Sequence, residues 1–321
     1  MRSVFVHRDG VTRRVDQVDP AWLAPGAAET VWLNIDGPTD ADRPLLQDVF
    51  HFHELAVEDA LAHLHHPKIE TYDGFLYLIL HEVTNGPSRL GFETRDIDFF
   101  LTRNALVTVH TAPSPAIEAE AAVCTRHAGV RAAGPSALLH RIADRMVDGY
   151  EPCVDLLEQR LEELERAVFE EPRANPLKAI LHLKKDVGSI RRVAALQRDV
   201  IGRLARREFS EIPDLLAYRF RDVYDHLVRT TDAATFFQDR VTSLLDAYLS
   251  TQSNRLNQVM KVLTVIATVF MPLSVLTGLF GMTVGLPHLP GGEAAQFWWI
   301  SGLSAVIVVI MLGYFRGRRW V

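Results

Sequence analysis

Two stretches near the C-terminus, Val262–Phe280 and Phe297–Phe315, contain no charged residue. Each has about the length an α-helix needs to cross a hydrocarbon core of about 30 Å. In lipid the backbone must satisfy its own hydrogen bonds, so such runs fold as helices. Lys261 precedes the first run, and Arg316, Arg318 and Arg319 follow the second. The segment between them carries one charge, Glu293. Positive charge concentrated outside both spans predicts cytoplasmic flanks and an external connection. Trp298 and Trp299 open the second run, where an interfacial aromatic belt is expected.

The rest of the chain constrains function mostly by exclusion. It has 34 Lys+Arg against 40 Asp+Glu, a formal net charge of −6. That balance argues against a nucleic-acid partner and suits attraction of cations. Cys124 and Cys153 lack ligand spacing and read as buried thiols. The first residues carry no apolar leader, so the preceding domain is expected to stay in the cytoplasm. No P-loop, GxGxxG, GxSxG or HExxH pattern nominates an enzyme. Transport would then be driven by the ion gradient and membrane potential.

The expected fold class is an α+β cytosolic domain, then long stalk helices and two C-terminal transmembrane helices. Strands are expected at Ser3–His7, Val31–Ile35, Phe75–Val83, Asp96–Thr102 and Ala105–His110. Helices are expected at Asp40–His51 and Leu55–Leu64, and the pattern is purely helical from about Pro135. Only Pro272 interrupts Asp214–Leu279, which as one helix is about 100 Å long. The expected divisions are 1–132 (α/β domain), 133–212 (antiparallel helices), 213–261 (stalk) and 262–283 (first span). An outer loop at 284–296, a second span at 297–315 and a basic tail at 316–321 complete them.

Alternating steps of three and four along the long helix place Asp246, Ser250, Ser253, Asn257, Met260, Thr264, Ala267, Met271, Ser274 and Gly278 on one line. The other faces hold large apolar residues such as Ile266, Val269, Phe270 and Leu276. A small, polar stripe faces another helix or a water-filled lumen rather than lipid. Asp225, Asp232, Asp239 and Asp246, spaced by seven, lead into it. Around an axis these acids would form stacked carboxylate rings that concentrate cations. Two spans cannot enclose a pathway, so the lumen reading requires a homo-oligomer. Met260 and Met271 would then form apolar constrictions that gate by dewetting.

The runs Tyr248-Leu249-Ser250, Ser253-Asn254-Arg255, Asn257 to Thr264 and Phe270-Met271-Pro272-Leu273 resemble the pore helix of the CorA magnesium transporter family. Phe220 to His226 resembles its stalk, Ala56 to Leu61 with Pro67 to Glu70 its cytosolic domain, and Arg318-Arg319-Trp320-Val321 its tail. The resemblance implies a funnel-shaped homopentamer in the plasma (inner) membrane, with both termini cytoplasmic. It implies no cofactor, only transported and regulatory divalent cations, Mg²⁺ with Co²⁺ or Ni²⁺. It places the selectivity signature at Gly281-Met282-Thr283, where the family has asparagine instead of threonine. It also implies an intersubunit regulatory metal site using Asp222, with Glu82 as the acid nearest the expected partner position. Thr277 to Gly281 with Gly291-Gly292 is similar to the zinc-transporting ZntB branch, so Zn²⁺ is an alternative cargo. A non-conducting membrane scaffold or sensor of the same fold is the other alternative. His51, His53, His63, His65 and His66 cluster in sequence, but no cysteine completes a familiar ligand set, and they read as surface residues.

Overall fold

A computed structural model of the 321-residue chain describes residues 1–62, 65–85, 92–126, 134–170, 175–282, 292–318 and 320. It contains two compact units, Met1–Leu245 and Asp246–Val321, with one helix common to both.

The first unit is built on a seven-stranded sheet. Its strands are β1 (Arg2–Arg8), β2 (Val11–Val15), β3 (Thr30–Asp36), β4 (Lys68–Tyr72), β5 (Phe75–Asn85), β6 (Phe92–Leu101) and β7 (Ala105–His110). The spatial order is β2-β1-β3-β7-β6-β5-β4, antiparallel except for the parallel β3–β7 pair. Asp9-Gly10 joins β1 to β2 with both residues at positive φ, the twist that a two-residue hairpin requires. Asp73-Gly74 connects β4 and β5, with Gly74 at φ 82°.

The expected helix Asp40–His51 is instead a 3-10 turn (Asp40–Asp42) and a π turn (Leu45–Val49), ending at His51 with φ 57°. Pro44 explains the break, because it has no N–H to give a continuous helix. The next helix, α1, is Glu54–Leu61. Leu46, Phe52, Ala56 and Val57 pack on one sheet face with Val6, Leu33, Tyr77, Ile79 and Val107.

The opposite face carries α2 (Pro115–Arg126), α3 (Pro135–Asp148), α4 (Glu151–Glu170) and α5 (Leu177–Ala205). The helix α3 contacts β3, β5, β6 and β7, and α5 contacts β4 and β5. Glu120 of α2, 0% exposed, is bound by Arg141 at 2.6 Å and Arg145 at 3.5 Å. Gln197 of α5 accepts the His81 N–H at 2.7 Å, which ties the helix layer to β5. Residues 1–132 and 133–212 therefore share this sheet within one compact unit.

The long helix α6 runs from Asp214 to Phe280, 67 residues. Leu216, Phe220, Val223, Leu227, Thr230, Ala234, Phe237, Val241 and Leu244 are buried at steps of three and four. Phe220 meets His140 of α3 edge-on at 5.0 Å, and Arg240 binds Glu165 of α4 at 2.7 Å. The second unit comprises the remainder of α6 and α7 (Gly292–Gly317). Because α7 begins at Gly292, it takes in part of the stretch expected as outer loop, 284–296.

Candidate ion pathway

In the second unit α6 divides into three sectors. Val265, Thr268, Val269, Leu273 and Leu276 are half-buried and form one covered face. On α7 the half-covered residues Ser304, Ile307, Val308 and Met311 also share one face. Two helices laid side by side cover one face each in this way. A second sector, with Leu263, Ile266 and Phe270, is exposed and apolar, as a lipid-facing surface is.

The third sector is the polar stripe. Asp246, Ser250, Ser253, Asn257, Met260, Thr264, Ala267, Met271, Ser274 and Gly278 are all exposed in the protomer. At about 100° per residue the stripe lies roughly opposite the covered face. The hydroxyl of Thr264 donates to the Met260 carbonyl at 2.7 Å, and that of Thr268 to the Thr264 carbonyl at 2.6 Å. The hydroxyl protons are thus held within the helix, leaving oxygen lone pairs outward. Pro272 cannot donate to the Thr268 carbonyl, a gap in the ladder within the span.

The outer end of α6 closes with Gly281 N–H to the Thr277 carbonyl at 2.9 Å and Met282 N–H to Leu279 at 3.4 Å. A Cβ at Gly281 would stand 2.9 Å from the Thr277 oxygen, so only glycine fits this turn without a shift. Thr283 lies outside the described residues. At the other end, Trp320 stacks on the buried Phe315 at 5.8 Å and borders a groove with Asn254, Asn257, Lys261 and Thr264. Arg318 lies 5.6 Å over the Tyr314 ring. The basic-aromatic tail thus returns to the start of the first span.

Asp225, Asp232, Asp239 and Asp246 are exposed, and none makes an ion pair among the described residues. The exposed line is not purely acidic, since Arg229 and the 58% exposed Phe236 interleave with them. The two acids expected to share a regulatory metal have different surroundings. Asp222 is exposed, but Glu82 is only 3% exposed and its Oε1 accepts the Ala116 N–H at 2.9 Å. Glu82 therefore anchors the start of α2 from inside, and the expectation of a surface ligand there is corrected. Sequence reading did not single out Asp144, whose carboxyl feels the charge of Asp222. Burial raises the Asp144 carboxyl above its ordinary range, and the charges of Asp148 and Asp222 raise it further. The i, i+4 pair Asp144/Asp148 on α3 was the available signal.

Among the described residues no group of three or more His, Cys, Asp or Glu is placed to hold a metal ion. His53 Nδ1 caps α1 by accepting from Leu55 N–H at 3.2 Å, while the His65 carbonyl accepts from His81 Nε2 at 2.6 Å. His53 and the His65 backbone thus have separate local roles, and His63 lies outside the described residues.

Comparison with known proteins agrees with this architecture. The family model of the CorA-like Mg²⁺ transporter protein matches residues 27–319. The cobalt/magnesium transport protein CorA of Thermotoga maritima is 30% identical over 330 residues, covering 99% of this chain and 90% of its own. YfjQ of Bacillus subtilis is 31% identical over 309 residues, covering 96% of this chain and 92% of its own. The complete structure of the CorA magnesium transporter from Methanocaldococcus jannaschii superposes with a TM-score of 0.83 at 22% identity, covering 100% of this chain and 99% of that one. The chain belongs to the CorA-like Mg²⁺ transporter family and is a two-span membrane transporter of divalent cations, with its sheet domain in the cytoplasm.

Proposed function

We propose that the chain forms a homopentamer whose five α6 helices line a Mg²⁺ pathway, which also admits Co²⁺ or Ni²⁺. The observation that carries this is the stripe of ten mostly small or polar residues, all exposed in the protomer. Facing lipid it would leave polar groups unsolvated, whereas around an axis it makes a wet lumen. The membrane potential contributes about 2.3 kcal/mol per charge per 100 mV toward the cytoplasm, so no nucleotide hydrolysis is required. Asp225, Asp232 and Asp239 gather cations along the stalk, and Met260 and Met271 narrow the lumen.

Gly281, Met282 and Thr283 form the outer mouth in this reading. Magnesium sheds water reluctantly, so the mouth meets a hydrated ion. A threonine hydroxyl reaches less far toward that shell than an asparagine amide. This departure favours Zn²⁺, which binds with fewer ligands, as the second cargo. Asp222, exposed on α6, supplies carboxylate to a regulatory cation in this reading. Flux into proteoliposomes, measured in parallel for Mg²⁺, Co²⁺, Ni²⁺ and Zn²⁺, tests the reading. Potential-driven Mg²⁺ entry supports it, Zn²⁺ entry alone favours the second cargo, and no entry of any ion leaves the scaffold reading.

A further inference from the structure

In the first unit a groove of about 840 Å³ opens between α5, α6 and the sheet edge near His81 and Thr94. Three features of it are not used by the proposed ion pathway. Lys184, Lys185, Arg191 and Arg192 border it, and among the described residues none of them makes an ion pair. The neighbouring acid on α5, Asp186, is taken by Arg160 of α4 at 3.5 Å. Four unneutralised cations around one cleft are a binding surface for a multiply charged anion.

The second feature is a pair of orphaned acceptors. His81 is 8% exposed and lines the groove. Its Nε2 faces the His65 carbonyl at 2.6 Å and must donate to it. In the neutral ring Nδ1 is therefore an acceptor, and it has no partner among the described residues. Burial lowers the His81 pKa, which keeps the ring neutral. Gln238 of α6 also lines the groove, and its buried Oε1 is likewise unpartnered. Buried acceptors left empty are rare in native proteins and here await hydroxyl or amine donors.

The third feature is Gly188. It stands mid-helix in α5, where glycine costs about 1 kcal/mol relative to alanine. A Cβ there would meet nothing within 4 Å, so packing does not require glycine. It does leave an open shelf in the groove. A local rule broken without a packing reason is expected where a ligand lies.

We propose that this groove binds a nucleoside di- or triphosphate, with phosphates on the four cations, the flat base over Gly188, and ligand hydroxyl or amine groups on His81 and Gln238. A simple anion would use the cations alone. The open shelf and the two acceptors are what distinguish a nucleotide.

The test is isothermal titration of the full-length protein in lipid nanodiscs with EDTA present, using ATP, ADP, pyrophosphate and inorganic phosphate in separate arms. ATP and ADP are expected to bind saturably, more tightly than pyrophosphate, with inorganic phosphate weakest. The double variant Lys184→Glu/Arg192→Glu is expected to weaken ATP about tenfold or more, since charge-assisted contacts are lost. Gly188→Leu is expected to weaken ATP but not pyrophosphate, and its melting temperature without nucleotide should equal or exceed that of the parent. Absence of saturable ATP binding overturns the proposal, as does ATP binding unchanged in the charge-reversed variant. Inorganic phosphate or pyrophosphate binding as tightly as ATP would reduce the groove to a plain anion site and also overturn it. Because binding is read without flux, this result is independent of whether Mg²⁺ is the cargo.

Discussion

Met271→Ala separates a lumen from a packed helix contact. Met271 is 72% exposed, so its side chain supports nothing within its own protomer. The substitution should change protomer stability by less than about 0.5 kcal/mol. It removes three heavy atoms from each copy, about 2 kcal/mol of apolar rim at about 0.8 kcal/mol per methylene. If the rim excludes water at a constriction, releasing even about 1.4 kcal/mol of that barrier raises the rate about tenfold. The contrast is Leu276→Ala, on the half-buried face. Full burial would make that change cost about 2–5 kcal/mol, so about half of this is expected here. Thermal melting in detergent and dye-reported Mg²⁺ entry into proteoliposomes, at matched protein amounts, read both effects. Met271→Ala should raise flux with melting unchanged, and Leu276→Ala should lower melting with flux per folded protein unchanged. Destabilisation by Met271→Ala with unaltered flux would make the stripe a helix-packing surface and refute the reasoning.

Three further outcomes are expected. Gly281→Ala forces a Cβ against the Thr277 carbonyl and should cost about 1–3 kcal/mol, read as a lower melting temperature; an unchanged one contradicts the tightness of this turn. Burial raises the Asp98 carboxyl well above its usual range, and the Tyr77 hydroxyl opposes this only in part. The folded state therefore holds this proton more tightly, so its stabilisation is complete below the unfolded pKa of about 3.9 and is lost as pH rises through the folded value. Asp98→Asn keeps an acceptor for Tyr77 without that dependence, so its melting advantage over the parent should grow from about pH 5 to about pH 8, and a flat or shrinking difference counts against it. Thr283→Asn should increase Mg²⁺ flux more than Zn²⁺ flux, because the longer amide both donates to and accepts from the ion's water shell; equal changes for the two ions speak against the hydrated-ion mouth.

Much of the architecture was legible because the deciding patterns are long. The uncharged runs and the unbroken stretch from Asp214 onward gave α6 and α7 directly. The buried strands β3, β5, β6 and β7 announced themselves as apolar runs. The two strands that escaped notice, β2 and β4, are the edges of the sheet. Edge strands are half solvated, and Thr12-Arg13-Arg14 and Lys68-Ile69-Glu70 lack the alternation of a buried strand. Their Asp-Gly turns were the usable signal. The helix α2 was hidden because its fixing contacts, Glu82 to Ala116 and Glu120 to Arg141, are tertiary. The same fact explains the misplaced role of Glu82. Sequence shows an acid in a strand, but not that the acid points inward to a helix start. The stripe was readable from spacing alone, since every member lies on one helix. The groove was not, because its cations, acceptors and shelf come from α5, α6 and β5.

The central claim, that the stripe lines a water-filled pathway, is tested most directly by cysteine accessibility during transport. The native cysteines are both buried, and burial pushes the Cys153 thiol up to about 11, so background reaction is small. Single cysteines at Thr264 and Ser274 on the stripe, and at Ile266 and Phe270 on the apolar sector, are treated with a membrane-impermeant cationic thiosulfonate while Mg²⁺ entry is recorded. Thr264→Cys and Ser274→Cys should react and lose flux, and Ile266→Cys and Phe270→Cys should do neither. Reaction and block on the apolar sector, with the stripe positions inert, would contradict the account.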